Sequence, residues 1–105
     1  MRPVLTVAPI IALLISATPA FAQSFDEVFE TCIDQSLPSE AGIAACSTAI
    51  ELAETDVQRG QAFHQRGIRL HNQQEWEAAL PDYQRAIELD PGEMTSAFNL
   101  FLLFD

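Results

Sequence analysis

Thirty-four residues, Gly60–Glu93, constrain this chain more than any other stretch, because apolar and small residues recur there at helical spacing on both sides of a polar turn. In the second half, Trp76, Ala79, Leu80, Tyr83, Ala86 and Ile87 fall at the i, i+3, i+4, i+7 positions of one helix face. In the first half, Phe63, Gly67 and Leu70 mark a face at steps of four and three. Asn72-Gln73-Gln74 reads as the turn between the two helices. Asp90-Pro91-Gly92 ends the second one, since proline lacks the N–H that would continue it and pushes the preceding residue towards extended geometry. Gly67 and Ala79 then sit on facing antiparallel helices, where small side chains let the backbones come close. Pro81, inside the second helix, removes the bond to the carbonyl of Glu77; its place between the core positions Ala79 and Tyr83 puts it towards solvent and predicts a kink.

Phe63-x-x-Arg66-Gly67-x-x-Leu70, then Ala79-x-x-x-Tyr83, Ala86 and Pro91, resembles the tetratricopeptide repeat, with its 34-residue period and its aromatic, Gly, Ala, Tyr and Pro pattern. Arg66 stands where an aliphatic residue is usual, Leu70 where a tyrosine is usual, and Phe63 replaces a tryptophan. The resemblance implies an all-α fold, antiparallel helix hairpins stacked as a short α-solenoid, and a broad role in protein–protein binding.

Residues 1–22 read as a targeting segment. Arg2 is followed by the apolar run Val4–Ala17, and Ala20-Phe21-Ala22 supplies a small-x-small cleavage pattern. A retained membrane anchor is the alternative, but the run is shorter than the roughly 20 residues a span needs, and it contains Pro9. Cleavage after Ala22 would leave residues 23–105 as one exported domain, periplasmic or secreted. Without Arg2 that domain holds four arginines and no lysine against fifteen acids, a net charge of −11. Such a surface repels phosphate backbones and anionic lipid headgroups, which argues against nucleic acid, and it steers basic partners inwards.

A domain this small builds a small core and commonly needs a staple. Phe25, Val28, Phe29, Cys32 and Ile33 mark one helix face, and Ile43, Cys46 and Ile50 another. Leu37-Pro38-Ser39 reads as the turn between them, with Ser39 as the N-cap of the second helix. Cys32 and Cys46 each lie seven residues from Ser39, so in an antiparallel hairpin they share a height. Compartment and geometry favour a disulfide; a metal pair or two buried thiols are the alternatives, although metal sites more often show closely spaced ligands.

The two hairpins repeat each other. Ala49-Ile50-Glu51-Leu52 recurs as Ala86-Ile87-Glu88-Leu89, so residues 24–53 read as a degenerate first helix pair in which Cys46 replaces Tyr83. Thr55-x-x-Gln58 reads as a capping box opening the next helix. Helices are therefore expected near 24–36, 39–53, 56–72 and 75–89, with a fifth near 94–104.

Catalytic chemistry finds little support. His64 and His71 lie on one helix face but about 10 Å apart along the axis, too far for one metal ion. No nucleophile motif surrounds either, no glycine-rich loop is available for phosphates, and the carboxylates are scattered. The expectation is no enzyme, no catalytic residue, no metal and no cofactor.

The resemblance implies a groove lined by the first helix of each pair, which here offers Gln61, His64, Gln65, Ile68, His71 and Asn72 to a peptide or protein partner. Amides and imidazoles there suit hydrogen bonding to an extended backbone; with no lysine, a clamp for a terminal carboxylate is missing. The competing reading starts from Met94–Asp105, in which only Asn99 is polar between Ala97 and Phe104. On that reading the chain is a shortened piece of a longer array, and residues 94–105 are a sticky element for homo-oligomers.

Overall fold

The computed structural model describes residues 23–92, and among them the secondary structure is entirely helical: α1 (Phe25–Ile33), α2 (Ser39–Leu52), α3 (Asp56–Asn72) and α4 (Trp76–Leu89). Short connections make α1–α2 and α3–α4 antiparallel hairpins, and α3 packs on both α2 and α4. The targeting segment at 1–22 and the expected fifth helix near 94–104 lie outside the described residues.

Each helix begins and ends for an identifiable reason. Ser24 opens α1 with a capping box: its Oγ accepts from the N–H of Glu27, and the Glu27 carboxylate accepts from the N–H of Ser24. At the start of α2 the cap is Pro38 and not Ser39 as expected; proline has no side-chain acceptor, and its carbonyl instead receives the N–H of Gly42. Thr55 caps α3 by accepting from the N–H of Gln58, while the Gln58 amide oxygen reaches one residue further back, to the N–H of Glu54.

The turn between α3 and α4 is closed by two backbone bonds, from Gln74 N–H to His71 O and from Glu75 N–H to Leu70 O. That pattern requires a left-handed residue after the helix end, and Gln74 adopts it with φ 65°. Helix α4 then continues through Pro81, which lies exposed. Trp76, expected on the buried face, is 52% exposed, because it is the first residue of α4 and projects beyond the contact with α3.

The core is built from small side chains. Phe25, Val28, Ala49, Ala53 and Ala62 form one buried cluster, with Phe29 stacked on Phe25 at 5.1 Å between ring centres. In the second hairpin Ala79, Tyr83 and Ala86 are buried, and Tyr83 is the largest fully buried side chain in the described residues. Its ring lies against Gly67, where an added Cβ would come within 2.8 Å of Tyr83 Cε1. At the matching place in the first hairpin, Cys46 faces Cys32, both fully buried, with the sulfurs at disulfide distance, 2.04 Å.

Candidate functional site

Three arginines of α3 decide how the hairpins meet. Neither α1 nor α2 carries a basic residue in its last turn, so the carbonyls at both C-termini need outside donors. Arg69 supplies them for α1. Its buried guanidinium donates to Cys32 O at 3.0 and 3.3 Å, to Asp34 O at 2.6 Å and to Leu37 O at 3.4 Å. Arg59 does the same for α2, donating to Ala53 O at 2.9 Å. The Arg69 side chain passes over Gly42, where a Cβ would overlap the guanidinium, so that glycine is required by space. Beside this cap, the backbone and hydroxyl of Ser36 donate to Asp34 and hold its carboxyl below the usual range.

The third arginine, Arg66, forms a two-pronged ion pair with Asp82 at 2.7 and 2.8 Å and donates to Ser47 Oγ at 3.1 Å, joining α2, α3 and α4. Its guanidinium also lies 5.4 Å from the centre of the Phe63 ring. The bond to Asp82 raises the Arg66 pKa while burial opposes the rise. Arg66 thus fills an aliphatic position of the repeat pattern by pairing with a buried acid. The sequence reading did not single out Asp82, Arg69 or Arg59, because their partners lie on other elements and leave no local pattern. Burial, and then the charge of Asp82, push the Tyr83 phenol up to about 12.

Two clefts result. The larger, about 610 Å³, lies among α2, α3 and α4, with Ile43, Phe63, Leu70, Ala78 and Pro81 around the Arg66–Asp82 pair. Ser47, Arg66 and Asp82 there are already bonded to one another, and Arg85 at the same cleft pairs with Glu88. The second, about 380 Å³, lies between the first helices of the two hairpins and is lined by Phe29 and Ile33 of α1 and by Gln61, His64 and Gln65 of α3. This brings three of the six expected groove residues together; Ile68, His71 and Asn72 do not line it.

His71 Nδ1 shares a hydrogen bond of 3.2 Å with the Tyr83 hydroxyl. His64 is buried, and both imidazoles stand 6.0 Å from the Tyr83 ring centre. Phe29 and Ile33, expected to join the core face of α1, are half-buried and 42% exposed. Phe29 sits mid-helix, packed against the core cluster as well as lining the cleft, and Ile33 is the last residue of α1. Across from them, the side-chain amides of Gln61 and Gln65 have no protein partner among the described residues.

Among the described residues no group of three or more His, Cys, Asp or Glu side chains is placed to hold a metal ion. No described helix is long and apolar enough to cross a membrane. Residues 60–93 match the family model of the tetratricopeptide repeat. No curated protein and no solved structure matches the chain.

Proposed function

We propose that this chain, whose residues 60–93 match the tetratricopeptide repeat, is an exported binding module that holds an extended, basic segment of a partner protein in the cleft between α1 and α3. The repeat is an interaction module, and the observation that carries the finer reading is the pair of open amides facing an apolar wall. Gln61 and Gln65 are four residues apart, about 6 Å along a helix, and Phe29 and Ile33 have the same spacing. Two residues of an extended chain advance about 6.6 Å. An extended segment therefore meets both amides with its backbone while alternate side chains rest on Phe29 and Ile33.

Charge supports a basic segment. All four arginines of the described residues are engaged internally: Arg59, Arg66 and Arg69 as above, and Arg85 with Glu88 at 2.9 Å. With no lysine in the chain, the outward charge is acidic. Export rests on the pattern of residues 1–22, and an oxidising compartment is where the Cys32–Cys46 pair would close.

Panning a displayed peptide library against the purified protein tests this. The expected outcome is enrichment of basic sequences with apolar residues at alternate positions. Affinity should fall about tenfold or more in a Q61A/Q65A variant that keeps its helicity, since each lost hydrogen bond is worth about 1 kcal/mol. Acidic selections, or affinity indifferent to both glutamines, would overturn it. Export is checked by the N-terminal residue of the protein recovered outside the cytoplasm, expected to be Gln23.

A further inference from the structure

We propose that this cleft, taken as the binding site argued above, is assembled by oxidation: until Cys32 and Cys46 are joined, the α1–α2 hairpin does not hold its place, and the α1 wall of the cleft is missing. The reason is where that hairpin's contacts lie: its apolar cluster, Phe25 and Val28 against Ala49, Ala53 and Ala62, holds the start of α1, while the end of α1 is held by the disulfide and the Arg69 bonds. Helix α1 has nine residues, fewer than the roughly 12–15 an isolated helix needs to be even marginally stable. Its partner α2 buries only Gly42, Cys46 and Ala49, and Cys32 and Cys46 are the largest fully buried side chains of the pair. The Phe25–Phe29 ring pair lies away from this end, and a cysteine, Cys46, stands where Tyr83 stands between α3 and α4.

The Arg69 cap depends on the same geometry. Its acceptors, the carbonyls of Cys32, Asp34 and Leu37, converge on one guanidinium only while the end of α1 and its loop keep their shape. Opening the hairpin releases these bonds together, and it withdraws Phe29 and Ile33 from Gln61 and Gln65. Closing it requires that the two thiols give up two protons and two electrons to a disulfide oxidant, which leaves as a dithiol. Once closed, both sulfurs are fully buried, out of reach of a dithiol reductant while the hairpin stays shut.

Amide hydrogen exchange on the purified protein, oxidised and after refolding under a dithiol reductant, reads this helix by helix and needs no ligand, so it is independent of whether any peptide binds. Linking residues 32 and 46 restricts the open chain enough to predict an about 100-fold loss of protection in α1 and α2 on reduction, with α3 and α4 losing much less. A C32A/C46A variant should behave as the reduced protein does. Unchanged protection of α1 in either form would overturn the proposal, and so would an equal loss in all four helices, which would make the bridge a staple of the whole domain.

Discussion

The two hairpins share a backbone plan and are held by different chemistry. In α3–α4 a tyrosine ring lies on a glycine and an arginine–aspartate pair locks the helices from the side. In α1–α2 a cysteine stands at the position matching the tyrosine; a covalent link and an arginine from α3 hold that end of the hairpin, and the Phe25–Phe29 pair lies towards the other. The second hairpin draws its cohesion from its own side chains, whereas the first adds to its apolar cluster a disulfide and an arginine from outside it. Two hairpins of like plan are thus restrained at matching backbone positions by different bonds.

The comparison is broken most severely by Tyr83→Ala. Emptying a fully buried aromatic site costs about 3–5 kcal/mol. Chemical denaturation should show the domain near or past its unfolding threshold, with the cysteine bridge unable to compensate in α3–α4. Next in size, Arg69→Met leaves the carbonyls of Cys32, Asp34 and Leu37 without their charged donor, an expected loss of about 3 kcal/mol in the same assay. Gly42→Ala should destabilise the wild type through overlap with that guanidinium and be harmless in the Arg69→Met background. Additive effects would show that the side chain does not occupy this path.

Alkali gives a smaller effect. The sole tyrosine has its pKa raised from 10.0 to about 12, so between those values the unfolded chain loses the proton and the folded chain keeps it. Stability from this group is present in full below pH 10 and declines as pH rises towards 12, by about 2–3 kcal/mol in all. Phenolate absorbance followed against pH, with and without denaturant, measures both titrations. The smallest expected change is a gain: Gln74→Gly should stabilise by about 1 kcal/mol, because a side chain is held there at φ 65°.

What the sequence disclosed depends on how local each cause is. Helix positions followed from periodicity, and the observed α3 coincides with the expected 56–72. The capping box at Ser24 was there to be read as Ser-x-x-Glu. Cys32 and Cys46 were placed opposite each other because they are equidistant from a turn. Arg69 was not legible: its acceptors lie 32–37 residues earlier, and nothing in its local spacing distinguishes it from a solvated arginine. Asp82 was hidden for the same reason, between Pro81 and Tyr83. Trp76 misled because helical spacing says nothing about where the neighbouring helix ends. In the cleft, Gln61, His64 and Gln65 of α3 were named from the repeat pattern, while Ile33 was assigned to the core because its spacing equally fits a buried face, and Phe29 both joins the core and lines the cleft.

The unequal hairpins would together form one binding cleft. Its most direct test is an NMR titration of the oxidised protein with a basic extended peptide taken from the selection. The account predicts that the largest shift changes gather at Phe29, Ile33, Gln61, His64 and Gln65, on both α1 and α3. Changes centred instead on Ile43, Ser47 and Pro81, around the Arg66–Asp82 pair, would contradict it.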